Sequence, residues 1–303
     1  MSENDKFINQ SPEIPEFIIE SDEEEQIRHT DVEQVAVSGY RRWLRRILKA
    51  LGILAAVFLA LMIYQKWNYY YRIGVPVSCT SSENIEKLKQ PAKQEVAKVV
   101  MTSDSILGVA IDMYAINGLH ANLEMEEPDT ADTSVFLYCR SADHKADGSY
   151  LGSLVINGEE KETDRTRLGY MAMANGHQVI GISRNEKVKR FVRDKKGSFF
   201  RQFILVSNGV KPYHFYLRGK VERRAIGRIG EQLYYIATRH PETLWDFADA
   251  LCEYGFTDAI YITGGTDYGF YRSQDGTRHD IGSPDDYPHK KWKGIIPWLV
   301  FRK

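Results

Sequence analysis

The residues whose types and spacing could do chemistry are few, and they lie late in the chain. Thr263-Gly264-Gly265-Thr266-Asp267 follows a stretch that reads strand, helix, strand. A glycine pair at a strand's C-terminal end is a place where ligand groups approach backbone amides, and Asp267 adds a carboxylate just beyond it. An ordinary hairpin turn is the competing reading of the same five residues. The eight histidines show no H-x-H or H-E-x-x-H spacing, and Cys79, Cys139 and Cys252 show no C-x-x-C. No metal and no cofactor are therefore assigned. Asp275, Asp280, Asp285 and Asp286 share a polar loop without the regular spacing of a calcium site. The basic residues Arg184, Lys187, Lys189, Arg190, Arg193, Lys195 and Lys196 could hold anionic lipid or a phosphorylated glycan. With Asn185-Glu186 and Lys196-Gly197 as turns, they read as a solvated hairpin.

The elements that must position these residues are mostly short and β-rich. The pattern gives strands over Leu107–Ile111, Val135–Tyr138, Ser153–Ile156, Tyr170–Met173, Gln178–Ile182, Phe203–Val206, Leu233–Ala237 and Ala259–Ile262. Asp147-Gly148, Asn157-Gly158, Asn175-Gly176 and Asn208-Gly209 are hairpin turn signals, so the sheet is expected to be largely antiparallel. One helix stands out: Leu244, Phe247, Ala248, Leu251 and Cys252 fall on one face and Gly255 ends it. The final IIPWLVF reads as a closing strand. The fold class expected is α+β, a largely antiparallel sheet domain with few helices, preceded by one transmembrane helix.

That helix is the apolar run Ile47–Tyr64, interrupted by Lys49 alone and flanked by Trp43 on one side and Trp67, Tyr69, Tyr70 and Tyr71 on the other. About eighteen apolar residues approach the lower limit for spanning a bilayer, and aromatic belts mark its interfaces. Arg41, Arg42, Arg45, Arg46 and Lys49 lie at or just before its start, against Lys66 and Arg72 after it, which keeps the N-terminus inside and sends the main domain out. The expected organisation is a disordered acidic cytoplasmic tail over 1–40, a membrane helix with flanks over 41–72, a linker and juxtamembrane helix over 73–104, and a folded domain over 105–303. The juxtamembrane helix rests on Ser81-Ser82 as a cap and on Ile85, Leu88, Val96 and Val99. A formal charge of −1 leaves no general attraction for nucleic acid. The partner implied directly is the lipid bilayer; the tail's own partner is not legible.

The segment Arg223 to Gly265, RRAIGRIGEQLYYIATRHPETLWDFADALCEYGFTDAIYITGG, resembles the C-terminal core of the phosphodiester glycosidase family. That core runs R-x-A-I-G, a second strand, a helix ending in L-G, and a strand entering N-L-D-G-G-G-S. Tyr150–Glu159 and Phe203–Gly209 are similar to two further elements of the family, so the likeness spans roughly Val135 to Tyr268. The departures lie in the motifs. Thr263 stands for the Asp of D-G-G-G-S, Thr266 and Asp267 for its third glycine and serine, and Arg140 for the Asn of N-G-G-F-F. The resemblance implies an extracytoplasmic hydrolase of glycosyl phosphodiesters. In it Arg223 and Arg140 bind phosphate, Thr263, Gly264, Gly265 and Thr266 line the substrate, and Asp267 is the catalytic acid at hand. With the motif carboxylate replaced, the alternative implied is a catalytically inactive member that binds an envelope glycan or a protein partner.

Overall fold

A computed structural model describes residues 22–71, 80–91, 95–141, 149–164, 167–212, 214–215, 217–283 and 297–303. Cys79, Asp147-Gly148 and Asp285-Asp286 lie outside them. The chain divides into two units, Met1–Lys66 and Trp67–Lys303. Helix α1 (Asp22–Tyr71) starts well upstream of the boundary expected near residue 40. Within it, Gly39–Gln65 is long and apolar enough to cross a membrane, with Ile53, Leu54, Phe58 and Ile63 exposed.

In the second unit α2 (Ser81–Lys89) precedes β1 (Lys98–Ile106), β2 (Val109–Asn117), β3 (His120–Glu124), β4 (Val135–Arg140), β5 (Ser153–Ile156) and β6 (Glu159–Thr163). Next come β7 (Gly169–Ala174), β8 (His177–Ile182), α3 (Lys187–Asp194), β9 (Ser198–Gln202) and β10 (Ile204–Ser207). The chain then runs through β11 (Arg223–Ile229), β12 (Gln232–Thr238), α4 (Leu244–Tyr254), β13 (Asp258–Gly264), β14 (Tyr268–Arg272), β15 (Arg278–Gly282) and β16 (Trp298–Arg302). The juxtamembrane helix is thus shorter than expected. Val99 belongs to β1, where it pairs with Ile116, and not to the helix.

Three sheets result, ordered β1-β2-β12-β11-β13-β10, β15-β14-β4-β16-β3 and β6-β5-β9-β7-β8. Each described strand pairing is antiparallel, which makes the domain the α+β, antiparallel type expected. The Asn-Gly signals explain why. Asn157-Gly158, Asn175-Gly176 and Asn208-Gly209 all have positive φ at both residues, the twist that a two-residue hairpin requires. The sheets pack on a shared core that includes Ile226, Tyr235, Ile260, Leu137, Cys139 and Phe200.

Helix α4 covers the other face of the six-stranded sheet. Thr243 Oγ1 accepts from the Asp246 amide at 3.0 Å, and Gly255 at φ 100° closes the C-terminus. Phe247, Ala248 and Leu251 then pack on Ala225, Ile236 and Tyr261. Fully burying side chains of this size stabilises by about 1.5–3 kcal/mol apiece for the Phe and Leu. The basic stretch is also helical, correcting the solvated hairpin expected there. Val188 and Val192, four apart, are buried along α3, and Lys189 is drawn in with them, paired to Glu160 at 2.6 Å and Glu186 at 2.5 Å. Lysine and arginine are good helix formers, and two buried valines suffice to dock one turn on the next.

Candidate functional site

Strand β11 decides the site, because it carries two arginines side by side and neighbouring residues of a strand face opposite ways. Ala225 packs in the α4 core and Ile226 in the core between sheets. Arg223 therefore lies on the α4 face. It is 3 % exposed, and its guanidinium donates from Nε to the Glu242 carbonyl at 2.9 Å, from Nη1 to the Tyr261 hydroxyl at 3.4 Å and from Nη2 to the Gly219 carbonyl. Those bonds tie the segment entering β11 and the residue before the α4 cap to the sheet.

Arg224 faces the space between sheets. Its Nη1 donates to the Gly265 carbonyl at 2.6 Å and its Nη2 to Glu222 at 3.0 Å. Burial alone would lower its pKa. The fields of Tyr235, Asp267 and Glu222 outweigh that and raise it, so Arg224 is a permanent buried cation. Asp267 is 4 % exposed, and its Oδ1 accepts from the Tyr268 amide at 2.9 Å. The same space holds Cys139 and Tyr235. Burial pushes both groups well up; the charge of Asp267 adds to this, while Arg224 opposes it. Tyr114 stacks obliquely on Tyr235 at 5.4 Å and meets Tyr271 edge-on at 5.0 Å, closing the cluster.

Arg140 ends β4 opposite Trp298 and is 6 % exposed. Leu137 and Cys139 face the large core, and Tyr138 faces the aromatic cluster with Phe270 and Trp298, so Arg140 shares the Tyr138 face. Asp267 acts on Cys139, on the other face. By strand alternation Arg223 lies on the α4 face and Arg140 on the face of the aromatic cluster, while Asp267 acts in the space of Cys139 and Arg224.

The glycine turn is likewise occupied. Thr263 is fully buried opposite Arg224, where a register shift in the β11–β13 pairing re-aims the chain. The Gly265 amide donates to the Glu222 carbonyl at 2.9 Å, and its φ of +78° suits a residue without Cβ. A Cβ on Gly264 would meet the Tyr261 hydroxyl at 2.4 Å, so that glycine is set by packing against β11's approach. Thr266 alone of the five is exposed. Arg224, Tyr235 and Tyr114 were missed from the sequence. The period-two alternation around Ala225-Ile226 was the signal for Arg224, since it puts the second arginine of the pair on the inner face.

Among the described residues, no group of three or more His, Cys, Asp or Glu side chains gathers as a metal site would require. Cys139 and Cys252 are free thiols, the first buried and the second half-buried.

The chain matches no family model and no curated protein sequence. Among solved structures it is similar to the catalytic domain of zebrafish N-acetylglucosamine-1-phosphodiester alpha-N-acetylglucosaminidase, auto-inhibited by its pro-peptide. The identity is 11 % and the TM-score 0.50, over 71 % of this chain and 87 % of that one. A hypothetical protein from Synechocystis is similar at 10 % identity and TM-score 0.48, over 68 % of this chain and 62 % of that one. The likeness to the zebrafish domain is a distant relationship of fold.

Proposed function

We propose that this chain is a membrane-anchored, extracytoplasmic carbohydrate-binding protein built on the phosphodiester glycosidase fold, and that it binds glycan without cleaving it. The observation that carries the reading is the separation of Arg140, Arg223 and Asp267 onto different faces, with the guanidinium forks of Arg223 and Arg224 already engaged by the chain's own oxygens. Cleaving a glycosyl phosphodiester requires a group to protonate the leaving oxygen, another to activate water or attack, and a cation at the phosphate, within reach of one anomeric carbon. A carboxylate that is 4 % exposed and close to the Arg224 cation supports binding over cleavage. The fold likeness supports carbohydrate as the ligand class. The apolar helix with its preceding basic residues supports the anchor and its orientation.

The test is direct. Full-length protein in detergent, incubated with an N-acetylglucosamine-1-phosphodiester, is expected to release no sugar above the rate without protein, and to retain ligands on a glycan array. Sugar release that disappears in Asp267→Asn overturns the reading. Protease added to spheroplasts is expected to trim the C-terminal domain, and a domain that is never trimmed overturns the orientation.

A further inference from the structure

Strand β1 is the outer strand of the six-stranded sheet, paired with β2 along one side and with no other strand among the described residues. It runs for nine residues in unbroken register, from Lys98 opposite Asn117 to Ile106 opposite Val109, with no proline, glycine or bulge. Residues 100–105 are exposed on both faces, Val100 at 42 % and Met101 at 37 %. An edge of this length presents a row of main-chain donors and acceptors, and folded proteins ordinarily blunt such edges with bulges, proline or inward charges. Here one amide of the row is covered. Asp104 Oδ1 accepts from the Ser105 amide at 2.7 Å, which leaves residues 98–104 as the open stretch.

The turn between β1 and β2 fixes which amides point outward. Ile106 and Val109 flank a two-residue turn with positive φ at Leu107 and Gly108, so they exchange both of their main-chain hydrogen bonds, and every second pair along the ladder does the same. Lys98, Val100, Thr102 and Asp104 therefore turn their amides and carbonyls towards β2, while Val99, Met101, Ser103 and Ser105 turn theirs outward. Side chains alternate with the same period, Val99 packing in the core between sheets and Ile106 on the α4 side. Lys98 and Asp104 thus share one face, a cation near one end of the open stretch and an anion at the other.

We propose that β1 pairs antiparallel with β1 of a second copy of this chain, about a two-fold axis at Met101, joining the two six-stranded sheets edge to edge. Charge complementarity carries the choice of partner: a strand with its cation at one end and its anion at the other is complementary to an antiparallel copy of itself. In this register Met101 faces Met101, Val99 and Ser103 exchange main-chain bonds, Val100 meets Thr102, and Lys98 of each chain stands opposite Asp104 of the other. The charged pair falls where opposed residues share no main-chain bonds and their side chains come closest. Moving the axis to Thr102 would need the Ser105 amide, which Asp104 already holds, and would set Val100 against Asp104. Moving it to Val100 would leave neither charge opposite the other. The inference does not depend on whether the chain binds or cleaves glycan.

Light scattering of the full-length chain in detergent, over a range of concentrations, tests the pairing, and a mass of two chains is expected. Met101→Pro removes an outward amide and no bond to β2, so it should leave circular dichroism unchanged while shifting the mass to one chain. Lys98→Asp sets like charges opposite each other at two symmetry-related places and is expected to weaken the pairing roughly tenfold, and adding Asp104→Lys should restore it. In a background carrying Cys79→Ser and Cys252→Ser, Met101→Cys is expected to give a disulfide-linked dimer on mild oxidation, because directly opposed residues stand within bridging distance. Ser105→Cys, on the same face of the strand, is expected to give none. A single chain at every concentration overturns the proposal. So does a dimer that survives Met101→Pro, as one held by the membrane helix would, or a Ser105→Cys crosslink as ready as that of Met101→Cys.

Discussion

Arg224 and Arg228 share one strand and one face, four residues apart on β11, yet they occupy opposite circumstances. Arg224 sits where two sheets cross, is 4 % exposed, and spends its fork on Gly265 and Glu222 with Asp267 and Tyr235 acting on it from nearby. Arg228 sits at the strand's outer end, bonds Asp258 through Nη2, and leaves Nε unmatched beside a cavity. A buried charge whose bonds close within the protein is framework, because any ligand would have to displace a partner already held. A charge held by a single partner at a strand end is tied less firmly. Arginine as such marks neither outcome, and the neighbours supplied by crossing strands decide.

The largest effect expected from this contrast is at Arg224. Replacing it by leucine removes two charge-assisted hydrogen bonds and the cation that faces Asp267, and is expected to lower stability by roughly 3 kcal/mol, read as a urea midpoint at unchanged m. Arg224→Lys keeps the charge without the fork and is expected to recover about half of that. A loss under about 1 kcal/mol for the leucine variant would mean that Asp267 is solvated, and the contrast would collapse. Arg228→Gln comes next. It gives up one bond to Asp258 at a partly exposed end, so about 1.5 kcal/mol is expected, the lower end for a bond to a charged group. A loss as large as that at Arg224 would make Arg228 framework too.

How far the sequence revealed these places depends on the range of the forces that make them. The Asn-Gly turns, the α4 cap at Thr243 and its end at Gly255 are local, and they stand where the residue types put them. Strands β4, β5, β7, β8, β10, β12 and β13 lie within a residue or two of the runs read from alternation. What failed was non-local. Alternation predicts the first strand over Leu107–Ile111, but Leu107-Gly108 is itself the turn, at φ 52° and 81°, and β1 and β2 extend on either side of it. Leucine in a left-handed conformation carries no turn signature. The α3 region was misread because charge dominates its composition, while two valines decide its docking. The site suffered most. Arg140, Arg223 and Asp267 were grouped by their places in motifs, and motif order carries no information about which face of a strand a side chain takes.

A third arginine gives the smallest and most easily tuned effect, and it calibrates the other two. Arg302 is about one-third exposed, bonds Glu124 at 2.8 Å from Nε and 2.9 Å from Nη2, and reaches Asp132 and Ser134 through Nη1. Its partner Asp132 is held down to about 2, first by the Ser134 hydroxyl, then by the Ser134 amide and the Arg302 guanidinium. A carboxylate whose folded pKa is depressed contributes stability that is present above its ordinary value of 3.8 and fades as pH falls towards about 2. Asp132→Asn is therefore expected to melt slightly below the parent at pH 7, with the gap narrowing below pH 4 and closing near pH 2. Added salt should narrow it as well, because these groups are open to solvent and their attraction is screened. The gap at Arg224 should narrow less in the same salt, since its own side chain is buried. If both gaps shrank alike, Arg224 would be as wet as Arg302, and the distinction between the two ends of β11 would have no physical basis.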